Sequence, residues 1–108
     1  MVLEVPPEEV RARLRDGPAA PALLDIREPW EREQARIEPS LFIPMEEIPD
    51  RLAELPRDRP LVVYCHHGLR SYVVADYLER QGFSPVASLR GGIDAWAALV
   101  DPSVGRYG

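Results

Sequence analysis

Leu61-Val62-Val63-Tyr64-Cys65-His66-His67-Gly68-Leu69-Arg70-Ser71 is the stretch that decides the fold. Its first four residues are apolar in succession, which suits a strand covered on both faces, as in a parallel sheet. From Arg70 to Gln81 the period changes. Val74 with Leu78, and Val73 with Tyr77, stand four apart, and Gly82 is placed to end a helix. A buried strand therefore feeds a helix through a short loop, Cys65 to Arg70.

The pattern repeats on either side. Val2 to Val5 reads as a short first strand. Pro6-Pro7-Glu8-Glu9 opens a helix with Val10 and Leu14 on one stripe, and Asp16-Gly17-Pro18 stops it. Ala22 to Ile26 and Leu41 to Ile43 read as strands, and Ile48, Leu52 and Leu55 as a short helix between Pro44 and Pro56. Pro85 to Leu89 is a last strand, followed by a helix carrying Ile93, Trp96, Ala97 and Val100. Strands alternating with helices predict an α/β fold, an open parallel sheet with helices on both faces. Ligands bind such sheets at the carboxyl ends of the strands, where Asp25 and Cys65 fall. The tail from Asp101 to Gly108 is open to two readings, packed back on the fold or disordered.

The chain has 108 residues, the size of a single domain spanning 1–108. Its net charge of −5 argues against nucleic acid and anionic membrane surfaces as partners. All 13 basic residues are Arg, and Lys, Asn and Thr are absent, a bias that fits a thermophile and a GC-rich genome alike. No stretch reaches the roughly 18–20 apolar residues of a membrane span. The start lacks the layout of a signal peptide, so the expected setting is cytoplasmic. The one cysteine excludes an internal disulfide and a multi-cysteine zinc site, and no cofactor is called for.

The chemistry lies in the loop. A tight turn from a strand end into a helix points successive N–H groups inward, and Gly68 permits the positive φ this needs. The helix start adds its positive dipole end. A thiolate facing that concavity is stabilised, and the same N–H groups suit an anion or a persulfide. A lone cysteine by itself is more often a small buried hydrophobe; its place at a strand end before His66-His67-Gly68 and Arg70 turns the reading towards a nucleophile. Adjacent histidines on a loop are expected to diverge, and no third ligand motif is near, so no metal is assigned. Arg70 at a helix N-terminus opposes the dipole and calls for an anionic or backbone partner.

Cys65-x-x-Gly68-x-Arg70-Ser71 resembles the active-site loop of the rhodanese, or sulfurtransferase, domains. Leu24-Asp25-Ile26-Arg27-Glu28-Pro29-Trp30-Glu31 is similar to the family's first motif, and Leu89-Arg90-Gly91-Gly92-Ile93-Asp94-Ala95-Trp96 to its closing one. The resemblance implies a five-stranded parallel sheet and transfer of sulfane sulfur through a persulfide on Cys65. It implies that the backbone of His66, His67, Gly68, Leu69, Arg70 and Ser71 cradles that sulfur. Asp25 and Arg27 match positions that support the loop, as an ion pair or cap fixing the strand end. Ala35-Arg36-Ile37-Glu38-Pro39-Ser40 departs from the family's usual Gly-His-Ile stretch.

The expected partners are a small anionic sulfur donor, such as thiosulfate, and a thiol or protein sulfur acceptor. Two alternatives compete. A cysteine-dependent phosphatase resembles a pattern with five residues between Cys and Arg, whereas four separate Cys65 from Arg70. A non-catalytic rhodanese-like module often lacks the cysteine, which this chain retains. If Arg70 turns away from the pocket, its expected partner is a carboxylate such as Asp25 or Glu28.

Overall fold

The computed structural model describes residues 2–107. Five strands form one parallel sheet: β1 (Leu3–Val5), β2 (Ala22–Asp25), β3 (Leu41–Phe42), β4 (Leu61–Tyr64) and β5 (Val86–Leu89). Their order is β1-β5-β4-β2-β3, which puts β4 in the middle. Along β4, Val63 lies beside Leu24 and Ser88, and Tyr64 beside Asp25. The end of β4 therefore opens between the ends of β2 and β5, where an α/β sheet binds its ligands.

Side chains alternate across the sheet. Leu24, Leu61, Val63 and Val86 face one core, with Val74, Ala75 and Leu78 of helix α3 (Leu69–Arg80). Leu23, Val62, Tyr64, Ala87 and Leu89 face the other. There they meet Val10 of helix α1 (Pro7–Arg13), with Ile93 and Trp96 of the last helix. Both faces are covered, which is why β4 shows no polar position.

Two elements differ from expectation. Pro29–Gln34 forms a short helix, α2, that precedes β3. It carries Trp30, Glu31, Arg32, Glu33 and Gln34, with no apolar stripe, so periodicity is blind to it. Ile48, Leu52 and Leu55 do not share one helix: Met45–Asp50 and Leu52–Glu54 are separate 3₁₀ turns, the first containing Pro49. The last helix, α4, spans Gly92–Leu99. The residues from Asp101 to Tyr107 do pack back, through a 3₁₀ turn at Pro102–Val104. Among the described residues no helix is long and apolar enough to cross a membrane.

Candidate active site

Cys65 follows β4 directly and is 1% exposed. Two backbone N–H groups donate to its sulfur, Gly68 at 3.1 Å and Ser71 at 3.3 Å. Gly68 is the N-cap of α3 with φ 105°, a left-handed conformation that glycine adopts without strain. This turn brings the first amides of the helix back onto the strand end. Of the six residues expected to form the cradle, the amides that reach Sγ are those of Gly68 and Ser71. The Leu69 side chain is turned to solvent, 80% exposed. Ser71 also places its hydroxyl 3.5 Å from Sγ and 2.7 Å from the Ser88 hydroxyl, both buried.

The back of the loop is held by α4. Ile93 N–H donates to the Cys65 carbonyl at 2.8 Å and Asp94 N–H to that of His66 at 3.1 Å. The loop carbonyls thus point at one helix N-terminus while loop amides point at the sulfur. Gly92 makes this approach possible: a Cβ there would collide with the carbonyls of Cys65 and His66.

Charged residues brace the carboxyl edge of the sheet. Asp25 and Arg27, both fully buried, form a two-pronged ion pair at 2.8 Å in each arm. Arg27 also donates to the carbonyl of Ala35 at 2.6 Å, and Arg32 donates to Asp25 at 3.0 Å. The Ala35–Ser40 stretch is anchored here: the Ile37 N–H donates to the Tyr64 hydroxyl at 3.2 Å, and Ser40 donates to the Ile37 carbonyl at 2.6 Å.

Arg70 pairs with neither Asp25 nor Glu28. Its two terminal nitrogens donate to the two Glu31 oxygens at 2.8 and 2.9 Å. Glu31 is presented by the first turn of α2 and is buried. The Glu28 N–H and the Tyr107 hydroxyl donate to it at 2.9 and 2.8 Å. Burial opposes its ionisation, but Arg70, the Glu28 N–H and Tyr107 together hold its carboxyl down at about 2. A depressed carboxyl stabilises the fold fully above its unfolded value near 4.5, and that stability drains away as pH falls towards 2. Thermal melts of wild type and Glu31→Gln are therefore expected to differ by a constant gap above pH 4.5 that narrows towards pH 2. A gap independent of pH over that window would contradict the assignment.

The histidines do not diverge as expected. Their rings stack, 3.9 Å between centroids, and Tyr107 stacks on His66 at 4.0 Å. Burial and the neighbouring His67 lower the basicity of His66, so its ring adds little positive charge at neutral pH. The fold does bring a third group: His66, His67 and Asp94 place ligand atoms within 4.8 Å of one another. In-plane lone pairs of two nearly parallel rings cannot converge on one ion, and Arg106 holds both Asp94 oxygens at 2.9 Å.

Glu31 and Tyr107 take part in this site but escaped assignment from sequence. Pro29 at a helix start, with Glu28 and Glu31 three apart, is a helix-start signal that points to α2 and so to Glu31. Nothing in the composition of the tail marks Tyr107.

Residues 6–99 match the family model of the rhodanese-like domain. A protein of Allochromatium vinosum named sulfurtransferase is 46% identical over 108 residues, all of both chains. A thiosulfate sulfurtransferase, GlpE, of Pseudomonas syringae is 39% identical over 85% of this chain and 84% of its own. The crystal structure of a rhodanese-like domain protein from Staphylococcus aureus superposes with a TM-score of 0.83 at 25% identity. That match covers 99% of this chain and 100% of the other.

Proposed function

The chain belongs to the rhodanese-like domain family, and on that premise we propose that it is a sulfurtransferase that carries sulfane sulfur as a persulfide on Cys65. The Cys65 thiolate attacks the outer sulfur of thiosulfate. The S–S bond of the donor breaks, and sulfite leaves with the electron pair. The persulfide anion then gives its outer sulfur to a nucleophile, cyanide in an assay or a thiol in the cell, and the thiolate returns. The two half-reactions imply ping-pong kinetics.

The observation that carries this reading is the convergence of the Gly68 and Ser71 amides on Cys65 Sγ. Amides aimed at a buried sulfur stabilise the thiolate that attacks and that leaves again. Relatives named sulfurtransferase and thiosulfate sulfurtransferase support the same reaction. The phosphatase alternative is disfavoured by Arg70, whose terminal nitrogens are engaged by Glu31, as well as by the short spacing. Arg70 remains partly exposed beside the cradle, where its charge acts on an anionic donor. Glu31 offsets part of that charge and fixes where the guanidinium stands.

Incubation with thiosulfate is expected to add about 32 Da, one sulfur atom on the thiolate nucleophile. Cyanide should then remove that mass and release thiocyanate. An intact protein of unchanged mass, with no thiocyanate formed, would dismiss sulfur transfer and favour the interaction module.

A further inference from the structure

Tyr107 lies outside the residues matched by the family model, yet it touches both halves of the site. Its hydroxyl accepts from Arg27 at 2.9 Å and donates to Glu31 at 2.8 Å. Its ring stacks on His66, the residue after Cys65, with planes 12° apart. Trp30 of α2 meets the same ring edge-on at 6.1 Å.

The segment that delivers it is fixed along its length. Asp101 accepts from the Ser103 N–H at 3.1 Å and opens the 3₁₀ turn at Pro102–Val104. Arg106 grips Asp94, whose own N–H holds the His66 carbonyl. Val104 and Tyr107 pack against the core cluster that contains Trp96.

We propose that Tyr107 is a positioning residue for sulfur transfer: its hydroxyl fixes the Glu31–Arg70 pair beside the cradle, and its ring clamps His66 so that the loop stays closed around Cys65. The proposal rests on the sulfur-transfer reading above. The two contacts do different things. The hydroxyl supplies the fourth hydrogen bond to Glu31, and Glu31 holds Arg70 by both terminal nitrogens. Burial and Glu31 push the phenol up to about 12 although Arg27 opposes them, so the proton stays on the oxygen and is available to Glu31. The ring closes a three-membered stack, Tyr107 on His66 on His67, which covers the first turn after the nucleophile.

Tyr107→Phe and Tyr107→Ala separate the two roles. Tyr107→Phe keeps the ring and loses the hydroxyl. It is expected to raise the KM for thiosulfate about three- to tenfold, with a smaller change in kcat; this is less than the roughly 10- to 150-fold of a lost hydrogen bond to a charged group, because the hydroxyl acts on the donor only through Glu31 and Arg70. Alkylation of Cys65 by iodoacetamide should stay at the wild-type rate. Tyr107→Ala loses the ring as well, and Cys65 should alkylate about two- to tenfold faster, the factor implied by one stacked pair. A residue that only stabilised the fold would lower the melting temperature of Tyr107→Phe and leave its KM unchanged. Wild-type KM in Tyr107→Phe, or wild-type alkylation in Tyr107→Ala, would overturn the proposal. If the wild type itself takes up no sulfur, the sulfur-transfer reading fails on its own, and the alkylation rates still decide whether Tyr107 holds the loop.

Discussion

Cys65→Ser is expected to abolish thiocyanate formation, by more than about a thousandfold, and to take up no mass from thiosulfate. Serine is close to cysteine in size, so it fits the buried position at the end of β4. Its hydroxyl accepts from the Gly68 and Ser71 amides as the sulfur does, and the loop keeps its hydrogen bonds to α4. An alcohol ionises too weakly to attack sulfane sulfur and cannot hold a persulfide. The cost to stability should stay near 1 kcal/mol, the typical size for a substitution that opens no large cavity. For a domain of this length that is a fall of roughly 4–8 °C in melting temperature. Thiocyanate release, intact mass and a melting curve on one preparation check all three points. Residual transfer in a protein that melts normally would remove Cys65 from the chemistry and leave the fold assignment standing.

The centre of this site was legible because its chemistry is local. Leu61 to Tyr64 is apolar throughout, since β4 is covered on both faces, and that pattern admits few alternatives. Gly68 stands where the chain needs a positive φ, and Gly92 where a second helix start must touch the loop. Both glycines sit in motifs that can be read as they stand. The supports of the loop were less visible. Arg70 needed an anion, but the chain offers 18 acidic residues, and Glu31 meets Arg70 only because α2 turns it inward across 39 positions of sequence. Glu31 is the one buried residue of that helix and the large apolar Trp30 is exposed, so no period betrays it. The two histidines stack instead of diverging, and Tyr107, from the opposite end of the chain, extends that stack on His66. Residues far apart in sequence, joined by polar contacts, leave no pattern for a periodicity argument to find.

Arg27→Met should be among the most damaging substitutions outside the nucleophile. Arg27 is fully buried and satisfies Asp25 through both arms of its guanidinium, the carbonyl of Ala35 and the Tyr107 hydroxyl. Burial opposes its charge, but Asp25 and Tyr107 outweigh this and raise its basicity above the ordinary value, so it stays charged at every working pH. Methionine fills much of the volume and supplies none of the donors. Asp25 is then left buried with Arg32 as its remaining ion-pair partner. Removing one member of a buried pair costs about 3–5 kcal/mol when the remaining charge is uncompensated, and the single contact from Arg32 at 3.0 Å offsets only part of that. A domain of this size would melt on the order of 15–30 °C lower. The double variant Asp25→Leu with Arg27→Met removes the stranded charge as well, so it should recover part of that loss. The recovery is incomplete because the Ala35 carbonyl and the Tyr107 hydroxyl still lack their donor. Melting curves of the single and double variants read this coupling directly. A single variant that melts within 5 °C of the wild type would mean that the pair is not what holds the ends of β2 and β4 in place, as would a double variant less stable than the single one; the figure of 5 °C corresponds to about 1 kcal/mol, well below the cost of an uncompensated buried charge.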